Sequence, residues 1–292
     1  MHRFLCSAVA GLGLLASTAN AAGPVWASSV VDYAPGTGIA TQLDPNAALN
    51  APAPIMGLGI GWPALLNPFS PQFDSGQIVG IGQGGSLTLE LAKAVPVTGT
   101  PQIGVITSAG LLDVTFNGDT ANPADTFASF EYGAQRGAKV EVADALGNFK
   151  SLGQLVFENP ANYYTNIGGP HDAAVASPEL ADFGTPFTGA LADFDGKSFA
   201  QVIGILGGSG GGQWLTVPTD LGLSEIRYIR FSEPMWVLPD GSRVTEAVSV
   251  YDGARKPADL FIDAVAVVAV PEPAGAAVLV MAGVMMMRRR RA

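Results

Sequence analysis

Short segments in which apolar and polar residues alternate cover much of the middle of the chain. Residues 86–91 alternate strictly, which places Leu87, Leu89 and Leu91 on one face of an extended strand and polar side chains on the other. Similar short segments recur along the chain, separated by turn-forming clusters such as Asn117-Gly118-Asp119. The predicted strands are residues 29–33, 86–91, 102–107, 112–116, 139–143, 154–157, 199–206, 214–217, 226–231, 248–251 and 260–268.

This pattern favours an all-β fold. No long amphipathic helix separates the predicted strands, so we expect an antiparallel β-sandwich or jelly roll, with short helices only at candidates such as residues 177–182 and 194–199. Residues 22–75 are rich in Pro, Gly, Ala and Asn and are expected to be largely loop. The glycine run 207–212 is flanked by predicted strands, which favours a flexible hairpin loop within one domain over a linker between two.

The N-terminal segment has the three parts of a secretory signal peptide. His2 and Arg3 form a short polar region, residues 4–16 are apolar, and Ala19 and Ala21 form a small-x-small cleavage site. We expect a signal helix over residues 1–21, cleavage after Ala21 and export through the inner membrane. The domain between the two terminal segments then spans residues 22–270.

The C-terminal segment, residues 271–292, combines a proline motif, an uncharged stretch and a basic end. Pro271, Glu272 and Pro273 precede the uncharged residues 274–287, expected to form a short helix of about 21 Å against a hydrocarbon core of about 30 Å. This helix is a marginal membrane anchor. The last four basic residues are expected to hold the C-terminus in the cytoplasm; they are Arg288, Arg289, Arg290 and Arg291.

This order of motif, apolar segment and arginine cluster resembles the PEP-CTERM sorting domain. The resemblance implies that Pro271, Glu272 and Pro273 are read by an exosortase, a membrane-embedded cysteine transpeptidase that cuts near the motif and releases or transfers the protein. It also implies only transient contact with the inner membrane, a final location at the cell surface or outside the cell, and association with exopolysaccharide or biofilm matrix.

The middle of the chain also resembles the discoidin-type, galactose-binding-like jelly rolls of other PEP-CTERM proteins. This resemblance bears on the fold more than on any ligand. It rests on the order of a Gly-rich turn with an alternating strand, a strand-turn unit and two further strands. The residues concerned are 84–89, 140–142 with 147–149, 226–231 and 260–265.

Composition and charge agree with a folded, exported domain. Apolar residues make up 48% of the chain and charged residues 14%, which disfavours disorder. Five of the 15 basic residues and one of the 25 acidic residues lie in the terminal segments, which leaves 10 basic and 24 acidic groups between them and a net charge of −14. We therefore expect no binding to nucleic acid. The single cysteine, Cys6, lies in the signal segment, so the domain has no disulfide and no cysteine ligand.

Candidate catalytic motifs are weak. Residues 80–85 satisfy the G-x-G-x-x-G pattern, but an alternating strand follows them where a dinucleotide site needs a helix, so a β-turn is the preferred interpretation. His171 is the only histidine of the domain and lies in a Gly/Pro loop without a nucleophile elbow. One histidine cannot build a zinc site of two or three. The sequence therefore predicts no enzyme, no catalytic residue and no cofactor.

Two kinds of loop residue are candidates for ligand binding. Aspartates in turns supply oxygen ligands for a structural Ca²⁺, although a solvated turn is favoured at each; they are Asp119, Asp125, Asp193, Asp195 and Asp240. Tyr163 and Tyr164 lie in a polar loop, where their rings either form a platform for a sugar or pack over the end of the sandwich.

We therefore predict a structural or adhesive protein of the cell surface or extracellular matrix. Two alternatives stay open. One is a carbohydrate-binding, lectin-like module of the exopolysaccharide matrix, with Tyr163 and Tyr164 as ligand contacts. The other is a secreted hydrolase with a pair of carboxylates, although nothing in the sequence singles out a pair.

Overall fold

The computed structural model describes residues 23–56, 64–113, 121–126 and 131–269, with only the backbone for residue 113 and residues 121–126. The elements in these ranges are mostly strands: β1 Val25–Ala34, β2 Val79–Gly82, β3 Ser86–Pro96, β4 Gln102–Thr107, β5 Leu111–Asp113, β6 Ala121–Thr126, β7 Gln135–Ala143, β8 Lys150–Val156, β9 Gln213–Thr216, β10 Glu225–Val237, β11 Arg243–Val244, β12 Glu246–Val248, β13 Arg255–Pro257 and β14 Asp259–Val268. An α-helix, α1, spans Phe199–Leu206, and short 3-10 helices span Pro45–Ala48, Leu191–Phe194 and Thr219–Leu221.

The main sheet is antiparallel and nearly closed. Its strand order is β8-β7-β10-β3-β1-β14-β4-β9, with β11 added to β10 and β2 added to β14. Strand β1 joins the two halves, because Val25 and Trp26 pair with β14 whereas the residues from Ala27 onward pair with β3. Strands β5 and β6, and β12 and β13, form two small antiparallel pairs. The prediction of an all-β, antiparallel fold is confirmed.

Alternation of side chains builds the core, as the sequence predicts. Leu87, Leu89 and Leu91 are buried on one face of β3. Ile229 of β10 lies opposite Leu89 on one side and Val142 of β7 on the other. Strands of both halves of the sheet contribute to one apolar cluster, in which each fully buried aliphatic or Phe side chain is worth about 1.5–3 kcal/mol.

The two ends of the described chain lie side by side. Val25 pairs with Val267 and Trp26 with Ala266, so β1 enters the fold where β14 leaves it. Val267 and Val268 are buried, and Ala269 packs against the main core. The first described strand therefore pairs with the last, in the middle of the strand order of the main sheet.

The prediction of a strand at residues 199–206 is wrong. These residues form helix α1, whose buried side chains Phe199, Val202 and Leu206 follow helical spacing. Ser198 caps its N-terminus, accepting a hydrogen bond from the Gln201 backbone N–H, and Gly207 ends it with φ +60°. The β-branched and apolar residues between Ser198 and Gly207 favour a strand, although these two residues mark the start and the end of a helix.

Three other local predictions are also wrong. Residues 177–182 are not helical, and Leu180 bridges Tyr164 there. Residues 194–199 connect a 3-10 helix to α1. Strand β12 ends at Val248, and a turn follows where residues 249–251 were expected to continue it.

The predicted terminal helices, residues 1–21 and 274–287, lie outside the described residues, as do residues 114–116 of one predicted strand. Ala19, Ala21, the motif Pro271–Pro273 and the cluster Arg288–Arg291 lie outside them too. Within the part of the chain that the structure describes, no helix combines the length and apolar character needed to cross a membrane.

Candidate functional site

Four of the seven candidate ligand residues of the sequence lie in one long connection. We call residues 157–212, which join β8 to β9, the cap. The cap holds Tyr163, Tyr164 and His171, the aspartates of residues 193–196 and the glycine run, and helix α1 is its only α-helix. The cap therefore brings these candidates into one region of the chain.

The glycine run 207–212 is packed into the cap and is not a flexible hairpin loop. The Asp182 N–H donates to Gly208 O at 2.8 Å, the Asn162 N–H to Gly210 O at 3.0 Å, and the Gly212 N–H to Pro160 O at 2.9 Å. A Cβ at residue 210 would overlap the Phe183 ring, and one at Gly211, whose φ is +71°, would overlap Pro160 O. These close approaches require glycine.

The side chains of Asp182 and Ser209 hold the loop at residues 184–185 in place. The Asp182 carboxylate accepts from the Gly184 N–H at 2.8 Å and from the Thr185 hydroxyl at 2.7 Å. The buried Ser209 hydroxyl donates to Thr185 O at 2.7 Å and accepts from the Gly211 N–H at 3.1 Å. In this loop, polar side chains form hydrogen bonds with the backbone groups, as neighbouring strands do in the sheet.

A cavity of about 480 Å³ opens beside this loop. Its apolar side is made by Phe187, Ile205 and Leu206, and its polar side by hydroxyls and one carboxylate. The lining residues are Thr185, Pro186, Phe187, Thr188, Gly189, Asp193, Ile205, Leu206 and Ser209. The volume falls in the range of roughly 300–1,000 Å³ typical of small-molecule sites.

Tyr163 and Tyr164 are half-buried and contact each other, with ring centroids 4.8 Å apart. The Tyr163 ring also lies 5.7 Å from Phe183, and burial raises the pKa of its hydroxyl. Tyr164 packs against the apolar cluster around helix α1. The packing interpretation of these rings is thus supported by contacts, while their role as ligand contacts stays a prediction.

The candidate calcium ligands Asp193 and Asp240, whose side chains the structure describes, lie in separate turns. Asp193 Oδ2 accepts from the Ala190 N–H at 2.7 Å, and Asp240 accepts from Ser242, which lowers the pKa of its carboxyl. Asp119 lies outside the described residues, and only the backbone of Asp125 is described. Among the side chains described, no group of three or more His, Cys, Asp or Glu residues is placed to hold a metal ion.

The remaining motif residues occupy ordinary turns and loops. Residues 80–85 form the end of β2 and a turn into β3, and a Cβ at Gly82 would overlap Thr37 O. His171 is exposed in its loop. The glycine pattern therefore serves close packing of a turn.

Sequence reasoning missed a buried charge cluster between β7 and β14. Arg136 Nε lies 2.7 Å from Asp259 Oδ1, and Lys256 Nζ lies 3.0 Å from Asp259 Oδ2. The guanidinium lies between the rings of Trp236 and Phe261, 5.4 Å from each centroid. The Asp259 side chain is fully buried. No local sequence pattern predicts this pair, because 123 positions separate Arg136 from Asp259.

A second buried carboxyl lies further along β14. Asp263 accepts from the Gln72 side-chain amide at 2.7 Å and from the Ala53 N–H at 3.2 Å. Burial raises its pKa well above the usual range. Among the described residues, Gln72 Oε1 is buried without a hydrogen-bond partner.

Comparison with protein-family models, curated proteins and solved structures finds no match to this chain.

Proposed function

We propose that this protein is an exported, non-catalytic component of the cell surface or extracellular matrix, structural or adhesive in role, and sorted by an exosortase through its C-terminal segment. Its single strongest support is the pairing of β1 with β14. The expected cleavage after Ala21 leaves three residues before β1, and two residues separate β14 from Pro271 once Val268 ends the strand. Removing both terminal segments therefore leaves every described strand intact.

We further propose that the two halves of the sheet face each other as a β-sandwich of the jelly-roll type. The support is the common apolar cluster, to which Leu87 and Phe231 contribute from one half and Ile103 and Val265 from the other. Facing sheets with interdigitated inner side chains form such a core.

The experiment is intact-mass measurement of the protein recovered from cells and from the medium. The expected product lacks residues 1–21 and the segment after the Pro-Glu-Pro motif. Glu272→Ala should leave the C-terminus unprocessed, whereas Glu246→Ala, a change of the same kind on exposed strand β12, should not. A full-length C-terminus in the unaltered protein would contradict sorting.

The second candidate is carbohydrate binding, and the cavity in the cap is the observation that favours it. Adhesion to a polysaccharide matrix requires a surface that recognises sugar rings, and the cavity is lined by both apolar and polar groups.

A further inference from the structure

We propose that the cavity in the cap binds one ring of a neutral saccharide, with Asp193 and Thr188 as hydrogen-bonding residues and Phe187 on its apolar side. The inference rests on the proposed adhesive role and names a ligand class and a location for it. The location differs from Tyr163 and Tyr164, whose rings pack against the core.

The apolar side of the cavity is held in place by stacking. The Phe187 ring stacks on Phe194 with centroids 5.4 Å apart and planes inclined by 22°. Leu206 is buried beside them and Ile205 is half-buried. A pyranose ring has C–H groups on its faces, and these are the part of a sugar that packs on such a surface.

The polar side has unused hydrogen-bonding capacity. Asp193 Oδ2 accepts from the Ala190 N–H at 2.7 Å, which orients the carboxylate, and its Oδ1 accepts no hydrogen bond from the described residues. The Thr188 side chain is exposed, and its hydroxyl makes no hydrogen bond within the described part of the chain. A carboxylate oxygen and a hydroxyl are suitable partners for adjacent sugar hydroxyls, because a hydrogen bond to a charged group is worth about 1.5–3 kcal/mol.

Charge disfavours an anionic ligand. Asp193 is the only carboxylate among the described residues that line the cavity, whereas Ca²⁺ takes about 6–8 oxygen ligands. An anionic sugar would meet this carboxylate within a strongly acidic domain. Neutral hydroxyl groups avoid both conflicts.

The cavity is also preorganised. Ser209 and Asp182 hold Thr185, and a Cβ at Gly189 would overlap the Phe187 ring and approach Asp193 Oδ2 to 3.0 Å. The loop therefore keeps Phe187 and Asp193 in one arrangement before ligand arrives, which lowers the entropic cost of binding.

The test is binding of glucose, galactose and mannose, and of glucuronate as the charged counterpart, to the exported protein, by saturation-transfer NMR and calorimetry. We expect at least one neutral sugar to bind and glucuronate to bind more weakly. Asp193→Asn keeps an acceptor for the Ala190 N–H and should raise the Kd about tenfold or more. Thr188→Val should raise it by a smaller factor. Asp195→Asn removes an equally exposed charge two positions away, outside the lining, and should leave the Kd unchanged.

Three results would overturn the inference: no neutral sugar binds at millimolar concentration, Asp195→Asn weakens binding as much as Asp193→Asn, or Tyr164→Ala abolishes binding that Asp193→Asn leaves intact. The last result would move the site to the tyrosines. Thermal unfolding of each variant separates lost binding from lost folding. The mass of the exported protein is independent of these outcomes, so failure of sorting and failure of sugar binding are distinguishable.

Discussion

The strands and the cap reach a fixed structure by different means. In the main sheet, pairing satisfies the backbone and alternating side chains supply the core, as in the β7, β10 and β3 ladder. In the cap, the backbone is satisfied largely by contacts of the glycine run and by side chains such as Asp182 and Ser209. The difference teaches that a segment rich in glycine and polar residues can be as specific in its contacts as a sheet, provided that its backbone groups are paired.

We expect the largest loss of stability from breaking the buried ion pair of Arg136 and Asp259. Asp259→Asn leaves the Arg136 guanidinium without its carboxylate partner and should lower the free energy of unfolding by about 3–5 kcal/mol in urea denaturation. Glu246→Gln is the control, because its partner Arg255 is exposed and a surface pair contributes about 0–1 kcal/mol. Equal effects of the two changes would show that burial of the pair is not what matters.

In the cap, the corresponding change is Gly211→Ala. It combines a left-handed backbone conformation with overlap of the Pro160 carbonyl, and should cost about 2–3 kcal/mol by thermal or chemical unfolding. Gly208→Ala is the matched control: its φ is +89° but nothing lies within 4 Å of the added Cβ. Similar losses at residues 208 and 211 would attribute the whole effect to the backbone angle and contradict tight packing of the run.

Asp263 lies where β14 meets Ala53 and Gln72. Its pKa in the folded protein is raised by burial above the usual 3.8, so the folded state binds its proton more tightly. The stability this group contributes is complete below about pH 4 and is lost as pH rises through the raised pKa. Asp263→Asn should therefore gain stability relative to the unaltered protein as the pH rises from about 4 to about 7.

The measurement is denaturation of both proteins at several pH values, with Asp32→Asn on the exposed part of β1 as the control. A stability difference between Asp263→Asn and the unaltered protein that does not change with pH would mean that Asp263 is charged in the folded state throughout this range.

The smallest effect concerns helix α1, where sequence and structure disagree. Ser198→Ala removes the acceptor of the Gln201 N–H and should lower stability by about 1 kcal/mol. Ser177→Ala, at an exposed position in the same cap, should have no effect. If residues 199–206 formed a strand, the two changes would be indistinguishable.

Sequence reasoning worked where structure depends on neighbours along the chain. The alternation around Leu87, Leu89 and Leu91 is a local property, and the predicted strands 102–107 and 226–231 lie within β4 and β10. Helix α1 was missed although its signals are local too, because Val202, Ile203 and Ile205 suit a strand while Ser198, Gln201 and Gly207 mark a helix. In this segment, the helix-capping residues outweighed the strand preference of the residues between them.

The cavity could not be predicted because its residues converge from separate parts of the cap. Phe187 and Asp193 are near each other in sequence, but Ser209 joins them only through the contact with Thr185. Likewise the aromatic pair Tyr163 and Tyr164 was identified as notable, yet no sequence feature shows that Phe183 packs against Tyr163. Contacts between segments without regular secondary structure leave no period in the sequence.

The pairing of the first strand with the last also has a mechanical consequence. A pull on the chain beyond Val268 acts along β14, which is hydrogen-bonded to β1 and β2 on one side and to β4 on the other. Antiparallel hydrogen bonds run perpendicular to the strand, so such a force shears many of them together instead of peeling them one at a time. A protein held to a surface by this end would carry load through a strand that is paired on both of its sides.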